Sequence, residues 1–151
     1  MERTERITLT NMCMIYDDKG NVVVQDKVGK TCSGLIFPGG HVEYHEPIVD
    51  SMIREIYEET GLTISDLKFC GIKDWIEDDG SRYMVFLYKT NNYSGELKSS
   101  KEGAVFWMQL EDLKQKPLLW HLEMMLDIFC GNEYSELYFN KETSHALPIL
   151  K

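Results

Sequence analysis

Nowhere in this 151-residue chain is there an apolar run approaching the ~20 residues that a bilayer crossing needs. The N-terminal residues Met1-Glu2-Arg3-Thr4-Glu5-Arg6 are charged, and no signal-type apolar segment follows them. A membrane partner is therefore not expected, and a cytoplasmic location is the default. Cysteine is sparse and scattered: Cys13, Cys32, Cys70 and Cys130 make no C-x-x-C pair and no zinc spacing. Free, mostly buried thiols are the expectation. His41, His45, His121 and His145 form no H-E-x-x-H or similar ligand set. Positive charge is also short, with 16 Lys and Arg against 25 Asp and Glu and a net charge of −9. That balance argues against a nucleic-acid polymer as partner, because backbone binding needs a basic patch. It leaves room for a small phosphorylated substrate, since carboxylates hold Mg²⁺ and Mg²⁺ holds phosphate oxygens.

The length suits one domain over residues 1–151, and the 43% hydrophobic content is enough for a sizeable core. Ile7 to Tyr16 alternates as a strand, Asp17-Asp18-Lys19-Gly20 reads as a turn, and Val22 to Gln25 follows as a second strand pairing with the first. Lys27 to Gly34 reads as a polar connection and Leu35-Ile36-Phe37 as a short buried strand. Leu67 to Ile76 and Arg82 to Thr90 flank the turn Glu77-Asp78-Asp79-Gly80-Ser81 as a hairpin. Asn91 to Gly103 reads as a long polar loop, Ala104 to Met108 as a strand, and Leu110 to Lys116 as a short helix or turn. Pro117 to Cys130 has helical periodicity through Leu118, Leu122, Met125, Leu126 and Phe129, and Glu136 to Lys141 suits a last edge strand. Strands outnumber helices, and the helices carry single apolar stripes. An α/β fold with a mixed sheet between helices is expected.

The segment Gly40 to Leu62 carries the chemistry. Pro38-Gly39-Gly40 reads as a tight loop whose bare backbone can approach a ligand. The helix from about Glu46 to Thr60 has Pro47 suited to its first turn and Gly61 just past its end. At ~100° per residue, Glu55, Glu58 and Glu59 fall on one face, with Val49, Ile53 and Ile56 on a separate apolar stripe. Three adjacent like charges repel one another; a cation beside them removes that penalty. Arg54 lies next to Glu58, four residues on, and can hold its carboxylate.

The spacing G-x5-E-x7-R-E-U-x-E-E-x-G-U, with U a bulky aliphatic residue, is matched by Gly40, Glu46, Arg54, Glu55, Ile56, Glu58, Glu59, Gly61 and Leu62. In this the chain resembles the Nudix hydrolases at every defined position of their signature. The resemblance implies the Nudix fold, an α/β/α sandwich. It implies Glu55, Glu58 and Glu59 as metal ligands together with the carbonyl of Gly39, Arg54 as an orienting residue, and Glu46 as a structural link between loop and helix. The cofactor implied is Mg²⁺, with Mn²⁺ as the alternative ion. A homodimer is common among such proteins.

Relatives in this family commonly carry an acidic residue shortly before a tryptophan; in Lys101-Glu102-Gly103-Ala104-Val105-Phe106-Trp107 that residue is Glu102, a candidate metal ligand or general base. Glu55 and Glu58 are the other candidates for the base. Downstream marks of ADP-ribose, dinucleoside polyphosphate, NADH and coenzyme A hydrolases are absent. The resemblance then points to the MutT-like group, which cleaves nucleoside triphosphates, including oxidised ones such as 8-oxo-dGTP, to the monophosphate and pyrophosphate. The alternatives are a hydrolase of a nucleotide sugar or ADP-ribose, and a non-catalytic nucleotide-binding regulator on the same fold. Trp75, Tyr83, Trp120 and His121 are candidates for contacting the base, and Lys27 and Lys30 for the phosphates.

Overall fold

Alternation along the first strand divides the hydrophobic core in two. Met12 and Met14 join a cluster with Leu122, Met125 and Phe129, whereas Cys13 and Ile15 join another with Met52 and Ile56. Successive strand residues point to opposite faces, so one strand serves both clusters. Each buried aliphatic side chain contributes roughly 1.5–3 kcal/mol relative to exposure. In the computed structural model, residues 2–29, 32–141 and 147–151 are described. The elements are β1 (Ile7–Ile15), β2 (Asn21–Val28), β3 (Ser33–Ile36), α1 (Ile48–Thr60), β4 (Thr63–Ser65), β5 (Lys68–Ile76), β6 (Arg82–Thr90), β7 (Asn92–Ser94), β8 (Ala104–Gln109), α2 (Leu110–Leu113), α3 (Leu122–Cys130), β9 (Glu136–Phe139) and β10 (Ile149–Leu150).

A five-stranded sheet runs β1-β6-β5-β9-β10, with β1 parallel to β6 and β5 parallel to β9, and the other pairs antiparallel. The two clusters place α1 on one side of β1 and α3 on the other. This is the mixed α/β sandwich expected. A second, antiparallel sheet runs β3-β2-β8, and a short ribbon pairs β4 with β7.

Several expectations about elements need correction. The turn Asp17–Gly20 does not close a β1–β2 hairpin. Beyond the single bridge Tyr16–Val22, β1 pairs with β6 over nine positions, while β2 pairs with β3 and β8. The turn joins two sheets. Strand β2 also runs on to Val28, which places Lys27 within it. The loop after Thr90 contains β7, held by the antiparallel pairing of Asn92–Ser94 with Thr63–Ser65.

The last helix starts at Leu122, five residues later than its periodicity suggests. Residues 117–119 are drawn into extended pairing with β3, through Leu35 N–H to Pro117 O (3.1 Å) and Leu119 N–H to Leu35 O (3.0 Å). Trp120 and His121 then adopt φ of 53° and 61°, a left-handed turn no α-helix continues through. Strand β9 is not an edge, because β10 pairs beyond it. Of the four free thiols only Cys13 is fully buried; Cys32 and Cys70 are half-buried and Cys130 is exposed. Among the described residues, no helix is long and apolar enough to cross a membrane.

Helix α1 begins after Pro47, which is extended at φ −60° and ψ 142°. It ends at Gly61 (φ 79°), whose N–H bonds Tyr57 O at 2.9 Å. Its buried arc is Ser51, Met52, Ile56, Glu59 and Thr60, whereas Val49 in the first turn is 43% exposed. Two polar anchors set that roll: Asn11 Nδ2 donates to Ser51 Oγ at 2.5 Å, and Gly39 N–H donates to Glu59 Oε2 at 3.1 Å. The arc that packs on the sheet is thus centred nearer Met52 than Val49.

Candidate functional site

The backbone of residues 38–42 runs beside β1 in extended form. Cys13 N–H donates to Pro38 O at 3.0 Å, Asn11 N–H to Gly40 O at 2.9 Å, and Val42 N–H to Leu9 O at 3.0 Å. In extended chain the N–H and C=O of one residue point the same way, and neighbouring residues alternate. Pro38 and Gly40 face β1, so Gly39 faces away, and its N–H meets Glu59. Its carbonyl is directed to the same side. A side chain is excluded at Gly39 and would displace a site carboxylate at Gly40. A Cβ on Gly39 would overlap the Asn11 backbone, and one on Gly40 would occupy the space of the Glu55 carboxylate. Asn11 Oδ1 accepts from Gly40 N–H at 2.9 Å and fixes the turn.

Arg54 ties this loop to α1. Its guanidinium makes a two-pronged pair with Glu46 (Nε to Oε2 2.8 Å, Nη2 to Oε1 3.0 Å) and donates to His41 O at 2.9 Å. Its Nη1 reaches Glu55 Oε1 and Glu58 Oε2, both at 3.1 Å. Bidentate geometry of this kind suits arginine and not lysine. The guanidinium keeps the Glu46 carboxyl below its ordinary range, with help from the Glu43 N–H. It holds one oxygen of each of Glu55 and Glu58, and so offsets the repulsion between them.

Glu59 is the buried member, with 6% of its surface exposed. Burial raises its pKa to about 7, opposed by the Gly39 N–H and by Lys27, and reinforced by the charges of Glu55 and Glu102. Gln25 Nε2 donates to the same carboxylate at 3.4 Å, and Gln25 Oε1 is buried without a hydrogen-bond partner among the described residues. Glu102 is exposed, on the turn before β8, and lies close enough to act on Glu59 electrostatically.

These groups open on a cleft of about 1240 Å³. Gly39, Glu55, Glu58, Glu59, Glu102, Lys27, Trp75, Tyr83, Trp120 and His121 all line it. Lys27 lies 5.2 Å over the Trp120 ring. Trp75 and Tyr83 stack on each other (4.5 Å, 12°), so only their outer faces can meet a ligand. His121 lies 6.0 Å from Phe139 and 3.6 Å from Glu123. Arg54 stands behind the carboxylates. Lys30 and His145 lie outside the described residues.

The donor set is chemically suited to a hard divalent ion: carboxylate oxygens, a backbone carbonyl and no thiol or imidazole. Glu55 and Glu58 each keep an oxygen that Arg54 does not engage, and Glu59 is a buried carboxylate that makes no ion pair among the described residues. As they stand, no three acidic, His or Cys groups among the described residues converge closely enough to hold a metal. Holding an ion there would need these carboxylates to draw closer together.

Sequence reasoning missed Lys73, Glu77 and Lys141, which also line the cleft. Lys73 is 6% exposed and donates to Trp120 O at 2.6 Å. Glu77 accepts from Trp75 Nε1 (2.8 Å) and Lys141 Nζ (2.6 Å), which fixes the indole. Tyr83 does carry a local signal, as it lies directly opposite Trp75 in the hairpin.

Comparison with known proteins agrees with this geometry. A model of the NUDIX domain family matches residues 7–127. The chain is 31% identical over 115 residues to the uncharacterized Nudix hydrolase YvcI of Bacillus subtilis, covering 73% of this chain and 70% of that protein. It is 30% identical over 81 residues to the phosphatase NudJ of Escherichia coli K12, a match spanning 53% of this chain and 52% of NudJ. Among solved structures, a MutT protein of Bacillus halodurans superposes with a TM-score of 0.77 at 23% identity, covering 95% of this chain and 97% of that one. A MutT NUDIX hydrolase of Burkholderia pseudomallei gives 0.70 at 25% identity, covering 82% and 98%.

Proposed function

Because this chain belongs to the Nudix family, hydrolases that act on phosphoric anhydride bonds, we propose that it is a Mg²⁺-dependent pyrophosphohydrolase of nucleoside triphosphates, releasing the monophosphate and pyrophosphate. The observation that carries this reading is that Glu55, Glu58, Glu59 and Gly39 all line one large cleft, with the Gly39 N–H bonded to Glu59. The MutT proteins among its structural neighbours support the fold, and the triphosphate is our own assignment.

In this reading Glu55, Glu58, Glu59 and the Gly39 carbonyl would hold the ion, with Glu102 as a further ligand. When bound, a divalent cation neutralises phosphate charge and lowers the pKa of a coordinated water. The chain's own residues do the rest. Arg54 orients Glu55 and Glu58, and its Glu46 and His41 contacts keep the glycine loop against α1. Lys27, which lies over Trp120 and acts electrostatically on Glu59, would meet phosphate oxygens. Glu102, Glu55 or Glu58 takes the proton of the attacking water. The cleft walls orient the rest of the nucleotide.

The test is a panel of ribo- and deoxynucleoside triphosphates, including oxidised purines such as 8-oxo-dGTP, assayed with Mg²⁺ for pyrophosphate. Release from at least one, lost by roughly 10³-fold or more in Glu58→Gln with the fold intact, supports the reading. Turnover only of ADP-ribose or a nucleotide sugar moves it to another Nudix substrate class. Nucleotide binding without turnover of any of these makes the chain a regulator.

A further inference from the structure

The far wall of the cleft contains a charged group that the phosphate chemistry does not use. Lys73 is buried on the floor, pointing to the same face of β5 as Trp75. An ammonium carries three donors and no acceptor. Among the described residues its hydrogen-bond acceptor is Trp120 O, with the Trp75 ring 5.3 Å away. Donor capacity therefore remains, inside a cleft, where an unmet buried donor is costly. Pairing register places Tyr83, Trp75 and Phe139 at adjacent positions across β6, β5 and β9, next to Lys73; with Trp75 and Tyr83 stacked on each other, it is the outer ring faces that a flat base can meet. Glu123, in the first turn of α3, lines the same cleft and is near enough to stabilise the Lys73 charge.

We propose that Lys73 and Glu123 read the base of the substrate by presenting a donor beside an acceptor, a pattern that fits a keto–imino (lactam) edge. Guanine and hypoxanthine offer O6 and N1–H at that edge, and uracil and thymine offer O4 and N3–H. Adenine and cytosine present an amino group and a bare ring nitrogen there, which reverses both polarities. A site built to satisfy one pattern rejects the other because the buried Lys73 donor would then be left facing an amino group and unpaired. Lys73 is thus a specificity residue, and its bond to Trp120 O holds the left-handed turn at 120–121 that forms the pocket rim.

The proposal rests on the substrate being a nucleotide, and not on which phosphate bond is cut. Its test therefore avoids turnover: GMP, UMP, AMP and CMP are titrated into the full chain with Mg²⁺, by calorimetry or tryptophan quenching. GMP and UMP should bind about tenfold or more tightly than AMP and CMP. Lys73→Met should bring that ratio close to one, Lys73→Arg should retain it, and Glu123→Ala should reduce it. A lysine that only staples the 117–121 segment would weaken all four ligands alike and leave the ratio unchanged. Equal binding in the unmodified protein, a preference for AMP or CMP, absence of binding by all four, or a preference that survives Lys73→Met overturns the proposal. Should Lys73→Met not fold, the exposed Glu123→Ala variant decides. A lactam preference without pyrophosphate release from any triphosphate sinks only the phosphate assignment, and the converse sinks only the base reading.

Discussion

Glu59 illustrates how a single residue links burial to charge. Its folded pKa, about 7, is above the ordinary 4.5, so the metal-free folded state binds more protons than the unfolded chain between those values. Its stability must then fall as pH rises from about 4.5 to 7. Melting temperatures in EDTA should show this decline in the unmodified protein and a flatter profile in Glu59→Gln. Lys73 has the opposite sign. Burial lowers its pKa from 10.5 to about 8, so the folded state sheds its proton first and stability is regained as pH rises between those values. Relative to Lys73→Met, the unmodified protein should gain up to about 3 kcal/mol between pH 8 and 10.5, read by denaturant unfolding. At Gly40 the outcome separates fold from function. A methyl there displaces the Glu55 carboxylate, so Gly40→Ala should stay folded yet lose most Mg²⁺-dependent activity, measured as kcat at saturating metal.

Helix α1 was legible in the sequence because its signals are local: Arg54, Glu55, Glu58 and Glu59 lie within six residues, and Pro47 and Gly61 mark its ends. The hairpin of β5 and β6 was legible for the same reason, through Asp78-Asp79-Gly80. What could not be read is pairing between distant segments. The parallel partner of β1 lies some 75 residues away in Arg82–Thr90, and nothing near Asp17–Gly20 announces that the chain changes sheet there. Lys73 resembles any strand lysine until Trp120, 47 positions on, closes over it. The start of α3 was misread because Leu118 keeps the helical period while its backbone pairs with Leu35. The left-handed residues after it suggest a test at this scale. Asparagine, whose short polar side chain hydrogen-bonds locally, visits the left-handed region as a single residue more readily than most side chains, so His121→Asn should raise stability by a few tenths of a kcal/mol. The gain would appear as a higher denaturation midpoint at unchanged m-value.

At the scale of the whole molecule, the acidic surface and the acidic cleft are separate matters. A net charge of −9 sets the chain against polyanions, but the cleft mixes Glu55, Glu58, Glu59 and Glu102 with Lys27, Lys73 and Lys101. A small anion can be held there while a polymer is repelled by the surface around it. Ligand binding should register globally, since both core clusters meet at β1 and the glycine loop hangs from that strand. A metal that binds only the folded state adds about 2.7 kcal/mol at a hundred times its Kd. Mg²⁺ at pH 8 should thus raise the melting temperature over the EDTA value, and Glu55→Gln should reduce that rise.

The end of α1 is tied to the segment that leads to Glu102. Lys98 N–H donates to Thr60 O at 2.8 Å, and Gly61 packs against the Glu96 carbonyl so closely that a methyl would come within 2.8 Å of it. Three of the acidic groups therefore ride on a rod whose tail is fastened to the strap bearing the fourth. A ligand that drew Glu102 inward would load this fastening between Lys98 and Thr60, and through it the tail of the rod.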